Sequence, residues 1–238
     1  MVESFTFLID GKNIRGYFHR PLKHADKLVI FLHGFTGNKA EHSYHFRDFS
    51  RVLEKHSIAS VRFDFRNNSE SDGEFKDFKL LEAFIDAKEI ISKFGKAYKE
   101  VILLGYSMGG AIASNIKNPL VNKLVLWSPA FNLGENLEKC FLNLFNETNE
   151  VVTSGFVYSK EMVDSFVNYC FTSNWNTKLP TLITYGMKDE VVSYDYIKRY
   201  NKENNSSHLL VYENSGHGYD DVCEFQKLMD DTLAFILK

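Results

Sequence analysis

The chain has 238 residues, of which 44% are apolar and 25% are charged. These proportions are close to globular averages, so they exclude a disordered chain and a coiled coil. The net charge of -3 argues against nucleic acid and against an anionic membrane surface as partners. The length favours a single α/β domain with a modest insertion.

The aromatic residues and the cysteines add further expectations. The 21 Phe, 12 Tyr and 2 Trp exceed what a core of this size usually needs, which leaves side chains for an apolar pocket or a homodimer contact. The three cysteines, Cys140, Cys170 and Cys223, form no CxxC pair and argue against disulfides and a zinc site. Residues 1–5 lack the basic region of a signal peptide, and no stretch has the length and apolarity to span a bilayer. We therefore expect a cytoplasmic protein without a membrane span.

The chain opens with a predicted β-hairpin, because two strand patterns flank Asp10-Gly11, a dipeptide that supplies the positive φ angles of a tight turn. Short apolar runs typical of strands buried on both faces follow. The predicted strands cover residues 28–32, 58–63, 101–104, 123–127, 182–185 and 208–212. Helical patterns cover residues 78–94 and 225–236. This alternation indicates a mostly parallel sheet with helices on both faces.

Residues 130–177 interrupt the alternation, because they carry helical patches and many aromatic residues but no clear buried strand. We interpret them as an insertion that emerges at one end of the sheet. Either an ordinary pair of packing helices or a cap over a site is compatible with the pattern. The predicted division is a core of residues 1–129 and 178–238 with an inserted cap subdomain of residues 130–177.

The segment Gly105-Tyr106-Ser107-Met108-Gly109 directly follows a predicted strand and precedes a helical run. A serine on such a sharp turn projects its hydroxyl above the sheet, and the two glycines let the backbone close without Cβ clashes. The helix N-terminus also stabilises developing negative charge. Ser107 is therefore the candidate nucleophile.

A serine hydroxyl near pH 7 needs a base that takes its proton and a third group that orients the base. Of the eight histidines, His217 lies between glycines in a loop after the last predicted strand, where it can reach over the edge of the sheet. Six others lie in strands, helices or charged surface stretches, and we expect them to be solvated: His19, His24, His42, His45, His56 and His208.

Asp189 follows the predicted strand at 182–185 and is the candidate orienting acid. The chain order is then Ser, Asp, His, which is the order on the α/β-hydrolase scaffold. Glu190 is adjacent and remains an alternative, as do Asp220 and Asp221, which come shortly after the candidate histidine. For the last two a structural role is favoured, because acids at the start of the closing helix complement its dipole.

Attack on an ester carbonyl creates an oxyanion, for which hydrogen-bond donors must already be in place. The HGFTG segment at residues 33–37 follows the strand at 28–32. The backbone N–H of Phe35 can therefore turn toward the site beside the N–H of Met108. We expect His33 to brace this loop through hydrogen bonds.

Five motifs in chain order resemble the α/β-hydrolase superfamily: HGFTGNK at 33–39, SDG at 71–73, GYSMGG at 105–110, GMKDEVV at 186–192 and SGHGY at 215–219. Within it, the HGFTG motif and the short insertion are similar to those of bacterial cinnamoyl and feruloyl esterases and related small carboxylesterases. The resemblance implies Ser107 as nucleophile, His217 as base and Asp189 as orienting acid, with the Phe35 and Met108 amides as oxyanion hole. It extends to monoacylglycerol lipases, so the substrate does not follow from it.

The turn at residues 64–73 departs from the glycine-rich DxxGxGxSDG pattern of these relatives, because Asn67 and Ser69 stand where glycine is expected. Asparagine tolerates the left-handed region better than most residues, so the turn can persist. We expect Asp64 and Asp72 to be structural and to tie loops together through hydrogen bonds.

The sequence therefore predicts a serine carboxylesterase that hydrolyses small acyl or aromatic, cinnamoyl- or feruloyl-type, esters through an acyl-enzyme and needs no cofactor or metal. A serine nucleophile excludes dehalogenase and epoxide-hydrolase chemistry, which require an aspartate on this fold. Lipase, thioesterase, carbon–carbon hydrolase and peptidase activities remain alternatives. A non-catalytic protein of the same fold, whose cap captures a small aromatic ligand, is the alternative outside enzymes.

Overall fold

The computed structural model describes residues 1–141, 143–145 and 149–238. The strands are β1 (Val2–Ile9), β2 (Lys12–His19), β3 (Lys27–Leu32), β4 (Ala59–Phe63), β5 (Glu100–Tyr106), β6 (Val121–Trp127), β7 (Glu150–Thr153), β8 (Phe156–Ser159), β9 (Thr181–Gly186) and β10 (Ser207–Tyr212). The helices are α1 (His45–Lys55), α2 (Leu80–Gly95), α3 (Met108–Asn115), α4 (Leu133–Phe141), α5 (Lys160–Val167), α6 (Tyr194–Glu203) and α7 (Val222–Leu237). Short 3-10 turns lie at His42–Tyr44, Phe75–Asp77 and Phe171–Ser173.

Eight strands form one sheet in the order β1-β2-β4-β3-β5-β6-β9-β10. The pairs β1–β2 and β2–β4 are antiparallel, and all the other neighbours in this sheet are parallel. The predicted mostly parallel sheet is therefore confirmed. The opening hairpin is confirmed too, since Asp10 and Gly11 form its turn with φ angles of 48° and 80°.

The alternation of side chains along β3 shows how the sheet divides the core into two layers. Leu28, Ile30 and Leu32 belong to the apolar layer that includes residues of α2 and α3. Val29 and Phe31 point the other way, into the layer with residues of α1 and α7. Because successive residues of a strand face opposite sides, a wholly apolar run indicates helices on both faces, as predicted.

The insertion contains a short hairpin that the sequence pattern did not predict. β7 and β8 pair as a separate two-stranded sheet, joined by Ser154 and Gly155 with φ angles of 51° and 80°. The signal was present, because a Ser-Gly dipeptide between two runs rich in β-branched and aromatic residues is typical of a tight hairpin turn. Residues 142 and 146–148 of the predicted cap lie outside the described residues.

The aromatic side chains of the insertion are mostly buried rather than displayed. They belong to the same apolar layer as residues of α2 and α3, and they include Phe131, Phe141, Tyr158, Phe166, Phe171 and Trp175. The insertion thus shares its packing with the sheet. The division into a core and a cap subdomain stays a prediction.

The polar turn at residues 64–73 persists as expected. Asn67 and Ser69 adopt φ angles of 62° and 51°, which is the left-handed region that glycine would otherwise occupy. The Asp64 carboxylate accepts hydrogen bonds from the Lys39 backbone N–H and from its Nζ, both at 2.6 Å. Asp72 accepts from β2 at the Asn13 N–H. Both aspartates are therefore structural, as predicted: Asp64 ties two loops together, and Asp72 ties its turn to β2.

The expectation that six histidines are solvated is wrong for His19 and His45, which are 1% and 5% exposed. His45 stacks on Phe225 with 3.8 Å between ring centroids, and burial lowers its pKa to about 4. His19 lies beside Arg62, and burial lowers its pKa also to about 4. A neutral imidazole is flat and partly apolar, so it packs like an aromatic ring once it is uncharged.

Two helices, α1 and α6, were not predicted from the sequence. In α1 the buried residues Phe46, Phe49 and Leu53 follow the three- and four-residue spacing of one helix face. No helix within the described ranges is both long and apolar enough to cross a bilayer.

Candidate functional site

Ser107 lies on a tight turn between β5 and α3 and is 7% exposed. Its φ of 53° and ψ of -118° are unusual for a residue with a side chain. A Cβ on Gly109 would overlap the carbonyl oxygen of Leu32, and one on Gly105 would overlap that of Gly109. Both glycines are therefore required where this turn packs against itself and against β3.

His217 lies in the loop after β10, where the structure brings the three predicted residues together. Its Nε2 lies 2.9 Å from Ser107 Oγ, and its Nδ1 lies 2.8 Å from Asp189 Oδ2. Because a carboxylate only accepts hydrogen bonds, Nδ1 carries the proton that points to Asp189. In the neutral ring Nε2 is then free to accept the Ser107 proton.

The Asp189 side chain is buried and fixed from the other side. Its Oδ1 accepts hydrogen bonds from the backbone N–H groups of Val191 at 2.8 Å and Val192 at 2.9 Å. Oδ2 is consequently the oxygen that faces His217. The turn after β9 therefore sets the direction of the carboxylate before any substrate binds.

The three alternative acids lie elsewhere. Glu190 is exposed. Asp220 Oδ1 lies 2.6 Å from His42 Nε2, and Asp221 caps α7 by accepting the Glu224 N–H at 2.9 Å. The structural role is thus borne out for Asp221 as a helix cap, whereas Asp220 joins two loops at the rim of the site.

The HGFTG loop lies directly beside Ser107, since a Cβ on Gly34 would be 3.4 Å from the Ser107 Cβ. Within the described part of the chain, the N–H groups of Phe35 and Met108 have no hydrogen-bond acceptor. Met108 is the first residue of α3, where N–H groups have no partner inside the helix. The two amides are therefore free donors next to the serine.

His33 braces the loop, as predicted. The Phe65 N–H donates to His33 Nε2 at 3.2 Å, so the ring proton is on Nδ1 and donates to the Gly34 carbonyl at 2.8 Å. The side chain is fully buried, and burial lowers its pKa. His33 is neutral and holds β3 against the strand end of β4.

A cavity of about 320 Å³ opens beside Ser107. Its lining is formed by residues 34–38, Glu41, His42, Tyr106, Ser107 and His217. The described aromatic residues of the insertion do not line it, and they approach it through Phe35, whose ring centroid is 5.3 Å from Phe166 and 6.2 Å from Tyr158. Phe166 and Tyr158 of the insertion therefore support the cavity wall by packing against Phe35.

The family profile described as serine aminopeptidase, S33 (Hydrolase_4) matches residues 23–162, more than half of the chain. The chain belongs to this family. A curated relative, AB hydrolase superfamily protein YisY of Bacillus subtilis (strain 168), is 26% identical, and the alignment covers 80% of this chain and 84% of the relative. The protein is thus a hydrolase of the α/β-hydrolase superfamily.

Solved structures of other hydrolases share the fold. Est1E from Butyrivibrio proteoclasticus with bound ferulic acid is 23% identical with a TM-score of 0.84, covering 98% of this chain and 100% of that one. Alpha/beta hydrolase domain-containing protein 10 from mouse is 18% identical with a TM-score of 0.79, covering 99% and 100%. At these identities the likeness concerns the fold alone.

Two residues of this hydrolase's site were missed from the sequence. The Tyr106 hydroxyl donates to the His217 carbonyl oxygen at 3.0 Å, and burial raises the Tyr106 pKa far above its usual range. Its place directly before Ser107 was the available signal.

Glu41 is the other residue, a buried carboxyl group in the cavity wall. Burial raises its pKa to about 7. A glutamate eight residues after His33 carries no recognisable spacing, so only the folded chain reveals it.

Proposed function

We propose that this hydrolase is a serine carboxylesterase. The observation that carries the proposal is the continuous contact from Ser107 Oγ through His217 to Asp189, beside two free backbone donors at Phe35 and Met108. A nucleophile, a base, an orienting acid and oxyanion donors are the groups that acyl transfer through an acyl-enzyme requires.

The reaction follows from these positions. His217 Nε2 takes the hydroxyl proton as Ser107 Oγ attacks the ester carbonyl carbon, and the Phe35 and Met108 N–H groups stabilise the oxyanion. The intermediate collapses, and the departing alkoxide receives the proton from His217. Water then attacks the acyl-enzyme, His217 takes a proton from it and returns one to Ser107, and the carboxylic acid leaves. Asp189 stabilises the imidazolium in both halves.

The substrate we propose is a small acyl or aromatic ester, including hydroxycinnamate esters. A cavity of about 320 Å³ lies at the small end of the range for ligand sites. Phe35 and Tyr106 are among its lining residues, and flat rings favour edge or offset contact with an aromatic acyl group. The ferulic acid bound to Est1E, a protein of the same fold, adds support for an aromatic acid.

Peptide hydrolysis is the second candidate, because the matched family is described as serine aminopeptidase. An aminopeptidase must bind the charged α-ammonium group of its substrate, for which a free carboxylate is the usual partner. Glu41 is the acid that lines the cavity, and both of its oxygens already accept backbone N–H groups. The described lining therefore favours an ester over a peptide N-terminus.

Labelling with a fluorophosphonate probe and hydrolysis of an ester panel test the proposal. Wild-type protein should label and Ser107→Ala should not, with kcat/KM falling by about 10⁴-fold or more because only binding and the oxyanion donors remain. Circular dichroism would verify that the variant is folded. An unlabelled wild type, or a folded Ser107→Ala that still hydrolyses esters, would remove Ser107 from the mechanism.

The panel compares kcat/KM for acetate, butyrate, octanoate, palmitate and ferulate esters together with aminoacyl anilides, since this ratio reports transition-state binding. We expect the short-chain and ferulate esters to be the best substrates. An optimum at palmitate would indicate a lipase, and anilide cleavage without ester cleavage would indicate a peptidase. The cytoplasmic location stays a prediction, and a homodimer contact stays one of the two uses left open for the aromatic residues.

A further inference from the structure

The segment that follows the HGFTG loop has an unusual backbone. Glu41, Ser43 and Tyr44 adopt φ angles of 62°, 48° and 65°, three left-handed residues in four positions without a glycine. Such residues are strained and persist only where the surrounding structure holds them. Of these three residues, Glu41 lines the cavity that contains Ser107.

The Glu41 carboxylate is the group that holds this segment against the loop. Its Oε2 accepts the Gly34 N–H at 2.6 Å, and its Oε1 accepts the His42 N–H at 2.9 Å. A Cβ on Gly37 would lie 2.8 Å from Oε1, so the carboxylate occupies the inside of the bend formed by residues 34–37. The Phe35 N–H, a proposed oxyanion donor, belongs to that bend.

A buried carboxylate in this position destabilises the folded state. Burial raises the pKa of Glu41 to about 7, while the two backbone hydrogen bonds and the neighbouring histidines favour its ionised form. The titratable groups that face it are His42 from its own segment, His217 from the loop after β10 and Tyr106 from β5. A residue needed only for packing would not require a charge here.

We propose that Glu41 is a positioning residue for the oxyanion hole. The inference rests on the proposed function and extends it. By accepting the Gly34 N–H, the ionised carboxylate fixes the His33–Gly34 peptide, which lies one peptide unit before the Phe35 N–H, and thereby aims the Phe35 N–H at the developing oxyanion. Donors contribute to catalysis only when they are already directed at the position where charge develops.

The test is Glu41→Gln, which keeps the shape of the side chain but places an NH₂ group against a backbone N–H. We expect kcat to fall by roughly 10- to 100-fold while KM stays within about threefold. The reason is that a displaced N–H donor weakens stabilisation of the transition state more than binding of the substrate. Affinity for a trifluoromethyl ketone, which forms an oxyanion with Ser107, should fall by the same factor. Asp86→Asn is the matched control, because Asp86 is also buried and accepts a backbone N–H, from Arg66, outside the cavity.

The control should lower the unfolding midpoint while leaving kcat and ketone affinity unchanged. Unchanged kcat and ketone affinity in folded Glu41→Gln, beside an active wild type, would overturn the positioning role alone. A wild type that neither labels nor hydrolyses esters would overturn the proposed function and this inference with it.

A second measurement does not require Glu41→Gln to fold. In ¹⁵N-labelled protein carrying both His42→Asn and His217→Asn, in which neither imidazole that faces Glu41 remains, the Gly34 amide proton should shift downfield as pH rises through about 7 and Glu41 ionises. A Gly34 signal that does not move between pH 5 and pH 9 would contradict the proposal, because the carboxylate would then not hold this amide.

Discussion

The loops at the carboxyl ends of the strands and the inserted segment of residues 130–177 bury their side chains in different ways. In the loops, the buried groups are polar, as at Ser107, Asp189 and Glu41, and each makes directed hydrogen bonds. In the insertion, most of the buried side chains are apolar and pack by shape, as in the edge-to-face rings of Phe131 and Trp175. In the loops, hydrogen bonds set the direction in which each side chain points. In the insertion, the side chains fill space against one another.

Backbone strain follows the same division. Near the site, non-glycine residues with positive φ are Thr36, Glu41, Ser43, Tyr44, Ser107 and Tyr219. In the described part of the insertion they are Asn149 and Ser154, both at the ends of the β7 hairpin strand. Of the two regions, the site loops therefore hold more such residues than the insertion, and strain of this kind is typical where a side chain or an amide must point in one direction.

The largest expected effect tests whether the hydrogen bonds of the loops direct the catalytic groups, and it concerns the orienting acid. We expect Asp189→Asn to lower kcat by roughly 10³- to 10⁴-fold, because an amide can no longer hold His217 in the tautomer that accepts the Ser107 proton. Asp220→Asn should change kcat by less than about threefold, because its contact with His42 is at the exposed rim. The measurement is kcat for ester hydrolysis by both variants. A crippled Asp220→Asn beside a nearly normal Asp189→Asn would reverse the assignment.

The same division explains what could be predicted from the sequence. Ser107, Asp189 and His217 each follow a strand that is recognisable as an apolar run, and parallel strands bring their carboxyl ends to one edge. The place of each residue after its strand was therefore enough to predict that the three side chains lie close together. Glu41 lies nine residues after the end of β3, and its contact with the Gly34 N–H depends on the bend at residues 34–37.

The insertion could not be placed in this way. Its aromatic residues signal burial but not which surface they bury against, because an aromatic ring packs equally well with many neighbours. Phe166, for example, contacts Phe35 and Phe78, which lie at least 88 positions away along the chain. No local pattern encodes such a contact.

Truncation inside the insertion should affect stability more than chemistry. Phe166 is fully buried between Phe35 and Phe78, so Phe166→Ala should lower the free energy of unfolding by about 3–5 kcal/mol. Because Phe35 loses its support, we also expect kcat/KM for the ferulate ester to fall by up to about tenfold. Urea unfolding and steady-state kinetics measure the two effects.

Phe171→Ala is the matched variant, because Phe171 is equally buried but contacts Tyr169 rather than Phe35. It should lose similar stability and keep its kcat/KM. Equal losses of activity in the two variants would mean that the whole insertion, rather than its contact with Phe35, supports the cavity.

The buried Glu41 carboxyl group should make the free energy of unfolding depend on pH. The pKa of Glu41 rises on folding from an ordinary 4.5 to about 7, so the folded state favours the protonated acid. Its contribution to stability is therefore fully present below about pH 4.5 and is lost as pH rises through about 7. Relative to Glu41→Gln, wild type should lose up to about 3 kcal/mol between pH 4.5 and pH 8. Urea unfolding at several pH values measures this difference, and parallel curves for the two proteins would contradict it.

The smallest predicted effect concerns the Tyr106 hydroxyl, which links the end of β5 to the loop that carries His217. Tyr106 donates to the His217 carbonyl at 3.0 Å. Tyr106→Phe should therefore lower the free energy of unfolding by about 1 kcal/mol. It should also lower kcat by roughly three- to tenfold, because the loop that carries His217 is held less firmly. Tyr212→Phe is the control, because the Tyr212 hydroxyl donates at 2.9 Å to Asp231, away from the triad. It should lose comparable stability without losing kcat. If both variants lost kcat equally, the Tyr106 bond would act on the fold as a whole. A loss confined to Tyr106→Phe would show that even a weak bond matters where it sets the direction of the base.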